Sequence, residues 1–316
     1  MNERDEDETI MTLILGILEE GFIYAVMALG VYITYKILDF PDLSVDSTFP
    51  LGAAFTASAI LAGVHPALTL FLSFLAGALA GCVTGFIHVK LKVRDLLSGI
   101  IVMTGLYSLN LRIAGGRANV PIFTQETIFE NQFLADHIPE TASPYTIVII
   151  LFIIVMICKI LLDLYLNTRS GYLLRAVGDN ESLVTSLAKD KGMVKIIGLA
   201  IANGFAALAG SIYCQHKGFF EISVGTGTIV IGLASVIIGI QLLTPENGTS
   251  LFGRLFKKEL RPTTAVIAGS VIYKACISIA ISMGMEANDL KLITSILFLI
   301  ILVVSTERRK KVKAHA

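Results

Sequence analysis

Apolar residues run in long blocks separated by short polar connections. The blocks lie at about 10–35, 43–63, 66–89, 96–114, 144–166, 194–214, 223–243, 263–284 and 289–305, close to the roughly 20 residues a membrane-crossing helix requires. They are too long for strands of a soluble fold. A membrane barrel needs a series of alternating segments of about ten residues, and no such series occurs. Polar residues and glycines interrupt blocks 43–63 and 223–243, so each either spans or re-enters as a broken helix. The pattern predicts an all-α, polytopic membrane protein of roughly nine spans, within a range of about 8–10.

Composition agrees: 54% of the 316 residues are hydrophobic and 16% charged, against about 25% charged in a soluble domain. The net charge of zero gives no sign of nucleic-acid binding. Placement of the charges carries more information. Basic clusters occur at Lys90, Lys92 and Arg94, at Arg169, Arg175, Lys189, Lys191 and Lys195, and at Arg254, Lys257, Lys258 and Arg261. A further cluster is the tail Arg308, Arg309, Lys310, Lys311 and Lys313. The segment from Gly115 to Ser143 carries Glu126, Glu130, Asp136 and Glu140 against the single Arg117. Basic loops favour the cytoplasm, so the N-terminus is expected outside and the C-terminus inside. Arg112, Lys217 and Lys291 then lie near the outer side. The acidic start, Met1 to Thr9, lacks a basic n-region, so the first block reads as a retained span.

Two short patterns recur. Asp42-Leu43-Ser44-Val45 precedes the second block and Glu221-Ile222-Ser223-Val224 the seventh. Asp95-Leu96 opens the fourth and Asp289-Leu290 the ninth. In the expected topology the members of each pair start from opposite sides. That is the signature of inverted repeats with broken helices, and matched polar interruptions point to a transport path. The candidates for that path are Asp42, Ser44, Asp46, Ser47, Thr48, Ser223, Thr226 and Thr228, with Asn110 and Asn203 in second place. The chain then divides into a first repeat with an external loop (1–143), a linker span with a cytoplasmic segment (144–192), and a second repeat with the basic tail (193–316). Gly77, Gly81 and Gly85 form two overlapping GxxxG patterns that permit close helix contact, within the chain or between chains.

Other chemistry is sparse. Cys82, Cys158, Cys214 and Cys276 lack metal-ligand spacing and read as packing residues. His65, His88, His137, His216 and His315 are scattered, with no HExxH and no paired carboxylates, which argues against an enzyme. An ion-coupled transporter would need intramembrane ionisable groups; Glu19, Glu20, Lys159, Asp163 and Lys274 are the candidates, several at span ends.

The longest basic connection begins Thr168-Arg169-Ser170-Gly171-Tyr172-Leu173-Leu174-Arg175-Ala176-Val177-Gly178-Asp179-Asn180. Tyr172, Leu173 and Val177 can share one face of a short amphipathic helix. Gly178 is placed to end it, and Asp179 or Asn180 to cap a second helix. This segment, with Ile201 to Ser211, resembles the branched-chain amino acid and sugar permease family of ABC importers. The family's G-x-x-L-R-A pattern is matched by Gly171, Leu174, Arg175 and Ala176. Asp42 to Gly52, Gly218 to Gly239 and Asn288 to Thr294 resemble the subgroup associated with tryptophan and tyrosine uptake, although Asp46-Ser47 stands where that subgroup has Asp-Gly.

The resemblance implies a bacterial cytoplasmic-membrane permease for amino acids, with branched-chain amino acids or sugars as the alternative substrates. It implies a second copy of the chain and a lipid-attached or periplasmic solute-binding protein. It also implies a cytosolic ATPase that carries the ATP and Mg, since this chain has no phosphate loop. Gly171, Tyr172, Leu174, Arg175, Ala176, Gly178 and Asn180 would form the element that docks on the ATPase.

Overall fold

The computed structural model describes residues 3–137, 139, 143–179, 190–243 and 260–282, with isolated positions 289, 292, 294–296, 298–300 and 303. Helix α1 (Glu3–Val31) runs on into a π-helical segment, Tyr32–Ile37. Helices α2 (Val45–Leu61), α3 (Pro66–Val89) and α4 (Asp95–Ile113) follow. A short strand β1 (Asn119–Pro121) and helix α5 (Gln132–His137) lead to α6 (Ser143–Leu166). Next come α7 (Arg169–Asp179), α8 (Lys191–Lys217), strand β2 (Phe219–Glu221) and a 3-10 turn, Ile222–Gly225. Helices α9 (Thr228–Leu243) and α10 (Pro262–Ser282) complete the described core.

Among the described residues seven helical stretches are long and apolar enough to cross a membrane, and α2 is a shorter apolar helix. The first stretch, Ile10–Ile37, is long and apolar enough to cross despite its polar Glu19 and Glu20. The ninth block is described only at isolated positions. Large apolar side chains face outward along single helix stripes, as at Phe71, Leu75, Leu79, Val83 and Phe86 on α3. An exposed apolar stripe of this length suits lipid rather than water.

Helix α8 is the axis of the fold, buried along most of its length. Its neighbours lie close because glycines remove the side chains between them. A Cβ on Gly77 would stand 2.3 Å from the Asn203 carbonyl oxygen, one on Gly81 2.2 Å from that of Leu199, and one on Gly85 2.9 Å from the Ile196 Cα. The GxxxG stripe therefore packs inside the chain, and the descending partner numbers make α3 and α8 antiparallel. Gly52 on Ala207 and Gly210 on Phe49 bring α2 equally close to α8.

These contacts also sort the ends of the helices onto two faces. Glu20 of α1 meets Lys217 at the end of α8 and Lys274 of α10, whereas Gly30 of α1 meets Ala202. One face thus holds the outer part of α1, the end of α8, and β1 paired antiparallel with β2. A two-stranded ribbon is marginal alone; here Ile122 and Phe220 anchor it among Ala53, Ala54, Ala57 and Ile60. The opposite face holds α7 and the described basic positions Lys90, Lys92, Arg94, Arg169, Arg175, Lys191, Lys195 and Arg261. The acidic Glu126, Glu130 and Asp136 belong to the ribbon face.

Candidate functional site

Helix α2 does not start at either face. Its first residues meet Asn203, midway along α8, and it then runs parallel to α8, with Thr56 hydrogen-bonded to Ser211 at 2.6 Å. Helix α9 also starts inside the fold, because Thr228 lies against Asp46. It runs the other way: Gly239 abuts Ala265 and Gly269 abuts Ser235, which sets α9 antiparallel to α10. Helix α10 in turn opposes α1, which opposes α8. Two half-helices therefore point their N-termini at each other and diverge toward opposite faces, the geometry that the two matched polar segments predict.

Asn203 is the hub of the meeting point. Its Oδ1 accepts from Ser44 Oγ at 3.0 Å and Thr48 Oγ1 at 2.8 Å. Its Nδ2 donates to Asp42 Oδ2 at 2.7 Å and to the Leu199 carbonyl at 3.1 Å. Every hydrogen-bonding position of this fully buried amide is used. Asp42 also holds the turn that leads into α2, its Oδ1 accepting the Ser44 N–H at 2.9 Å. Asp42 is buried, and no basic side chain pairs with it among the described residues. Its two hydrogen bonds offset part of the cost of burying a carboxylate.

Asp46 links the half-helices. Its carboxylate accepts the Ile229 N–H at 2.8 Å, the Gly227 N–H at 3.1 Å and the Thr228 hydroxyl at 3.1 Å. Both ends of this contact are shaped for it. Pro50, inside α2, has no N–H to donate to the Asp46 carbonyl. Gly225 lies over that carbonyl, where a Cβ would approach to 1.9 Å. Gly227, at φ +85°, turns the chain into α9. The carboxylate then sits at the positive end of α9, where an anion is favoured.

The other path candidates divide. Ser47 is buried, and its carbonyl accepts from Asn110 Nδ2 at 2.9 Å, tying α4 to the start of α2. Asn110 Oδ1 is buried with no hydrogen-bond partner. Ser223 and Thr226 are exposed on the 3-10 turn rather than inside the network.

Helix α7 runs from Arg169 to Asp179, longer than the sequence implies. Gly178 does not end it. That residue instead sits on the Ile37 carbonyl, where a Cβ would approach to 1.7 Å, while Gly171 sits on Tyr165 and Leu166. The inward face is Gly171, Leu174 and Val177. Tyr172 lies outside that face, 58% exposed, with Arg175 exposed and Ala176 half-buried. Asn180 and the expected second helix lie outside the described residues. The next described helix, α8, is capped by Asp190, which accepts from Gly192 N and Met193 N.

The five ionisable candidates for ion coupling are engaged elsewhere. Glu20 pairs with Lys217 and Lys274 at 2.8 and 2.9 Å, Glu19 with His216 at 3.5 Å, and Lys159 with Asp163 at 2.9 Å. The four cysteines are all free, and no cluster of potential metal ligands occurs among the described residues. Sequence reasoning missed the π-helical segment, the β ribbon and the Thr56–Ser73–Ser211 hydroxyl cluster. Hydroxyls spaced along apolar helices were the available signal for the last of these.

Apolar stripes facing outward and two half-helices meeting on a central helix define an all-α, multi-pass membrane protein of the permease type. The chain belongs to the branched-chain amino acid transport system permease component family, which matches residues 13–305. It is 44% identical over 291 residues to the tyrosine transport system permease protein of Clostridioides difficile, covering 92% of this chain and 90% of that one. It is 26% identical over 240 residues to the ribose import permease protein of Haemophilus influenzae, covering 76% and 70% respectively. It is 25% identical over 190 residues to a nucleoside ABC transporter permease protein of Lactococcus lactis, covering 56% and 59%. No solved structure matches. The chain is thus an ABC permease subunit, a translocation component and not an enzyme, and its family implies a separate ATPase and a binding protein as partners.

Proposed function

We propose that this chain is the membrane subunit of an ATP-driven importer of amino acids, aromatic ones foremost. The observation that carries the reading is the meeting of α2 and α9, where neutral hydroxyls and amides surround Asp42 and Asp46. A path opening there has no basic cluster to hold a polyanion. Its hydroxyls and amides suit a zwitterion that must also leave. The aromatic preference is supported by the tyrosine system of the relative that is 44% identical. The ribose systems resemble this chain less, at 26% identity.

The basic α7 face lies in the cytoplasm, with the N-terminus outside and the C-terminus inside. The exposed Tyr172 and Arg175 of α7 dock on the ATPase, which binds ATP and Mg. The solute-binding protein approaches the ribbon face, and two copies of the chain form the working permease. Ion coupling is the weaker reading, because Glu20 with Lys274 and Lys159 with Asp163 already hold one another in ion pairs and Glu19 lies against His216.

The test is reconstitution of the permease with its ATPase and binding protein, followed by uptake of tyrosine, tryptophan, leucine and ribose. Tyrosine and tryptophan are expected to lead, and only with ATP. Ribose uptake without amino-acid uptake would overturn the substrate class. Leucine clearly ahead of both aromatics would reject the aromatic assignment alone.

A further inference from the structure

Where α6, α7 and α10 converge on the α7 face, a cavity of about 220 Å³ opens beside Asp163, Arg175, Arg261 and Thr263. Asp163 would repel an anion if it were unengaged, but both of its oxygens are occupied. Oδ1 accepts from Thr263 Oγ1 at 2.7 Å, and Oδ2 accepts from Lys159 Nζ at 2.9 Å and Arg261 Nη1 at 3.3 Å. With Lys159 counted against Asp163, the two arginines leave a net positive charge. Arg261 uses one nitrogen on Asp163, and its side chain is 70% exposed, so further N–H donors of its guanidinium can face the cavity. Arg175, also exposed, lines the same cavity.

On α6, which lines the cavity through Asp163, Leu166 and Asn167, the preceding turns carry an exposed apolar stripe of Ile157, Ile160, Leu161 and Leu164. A basic cavity at the end of a lipid-facing stripe has the two chemistries of a phospholipid. The phosphate meets paired guanidinium groups, which bind phosphate bidentately, and the acyl chains meet the stripe. Basic pockets between membrane helices take anionic head groups. We infer that this cavity binds the phosphate of an anionic phospholipid, and that the lipid joins the ends of α6 and α10 to α7. Only the choice of leaflet rests on the sidedness proposed above; the site itself does not.

Purified permease, without ATPase or binding protein, is placed in nanodiscs containing phosphatidylglycerol or phosphatidylcholine, and retained lipid is measured by native mass spectrometry. Arg261→Gln is the test variant because Arg261 lies outside the proposed docking surface of α7. A Leu79→Ala variant, changed on the distant lipid face of α3, controls for general loss of annular lipid. Phosphatidylglycerol is expected to be retained over phosphatidylcholine. Arg261→Gln should weaken that retention roughly fivefold, the effect of one basic charge at an anionic surface, and Leu79→Ala should not. Displacement by millimolar inorganic phosphate would show that the site also takes the free anion. No displacement would assign it to the lipid. Equal retention of the two lipids, or unchanged retention in Arg261→Gln, would overturn the inference whether or not α7 docks on an ATPase.

Discussion

The Asp46 carboxylate on α2 accepts the backbone N–H of Ile229 on α9 at 2.8 Å, joining residues 183 positions apart in the chain. It is the contact through which two oppositely running half-helices hold their N-termini together. Asp46→Asn keeps the shape but removes the charge, and it turns an N–H toward donors that need an acceptor. The expected cost is about 1–3 kcal/mol, read as a lower unfolding temperature of the purified permease. Uptake should fall further than ATP hydrolysis in the reconstituted system, because the half-helices would no longer close on each other.

Asn203→Leu tests the hub. The substitution is similar in size, but it strips Asp42 Oδ2 and Ser44 Oγ of their buried partner. A loss of about 3 kcal/mol or more is expected from the orphaned groups together. Fluorescence-detected size exclusion after a heating series would measure it. An unchanged profile would mean that the network contributes little to the fold.

The close approach of α3 and α8 gives a paired test. Gly81→Ile places a side chain against the Leu199 carbonyl, a backbone atom that cannot give way, and α3 should separate from α8. A Cβ at Gly105 on α4 meets nothing within 4 Å, and Gly105→Ile should express and purify normally. Comparable yields of folded protein from both variants would contradict the intrachain packing.

Much of this fold was legible in the sequence because lipid enforces its pattern. Long apolar blocks marked most of the helices, and the polar interruptions at Asp42 to Thr48 and at Ser223 to Thr228 marked the two broken ones. What each polar residue does was less legible. Asn203 sits in an apolar helix far along the chain from Ser44, and only the fold reveals that it meets them. Ser223 and Thr226 share the repeat pattern with Ser44 but lie on an exposed turn, since a repeat in sequence does not conserve which face of a turn is buried. Gly178 looked like a helix end because glycine commonly ends helices; the need for room against Ile37 is a tertiary constraint with no local signature.

The ATPase contact proposed for α7 can be tested at the seat of this helix on the π-helical segment. Gly178→Ala should lift α7 from Ile37, and Arg175→Glu should reverse an exposed charge while leaving that seat intact. Both are expected to reduce copurification of the ATPase and substrate-stimulated ATP hydrolysis, and only Gly178→Ala should also lower thermal stability. ATPase binding unchanged in both variants would place the docking element elsewhere.

The buried network that holds the start of α2 to α8 and α9 is expected to open during transport. Thr48 is its most direct reporter, being fully buried and bonded to Asn203. Thr48→Cys, with Cys82, Cys158, Cys214 and Cys276 replaced, is exposed to a water-soluble thiol reagent in proteoliposomes containing the ATPase and binding protein. Protection is expected at rest, and labelling when ATP and substrate are both present. Protection that persists throughout active turnover would contradict that opening, and would leave the network as helix packing alone.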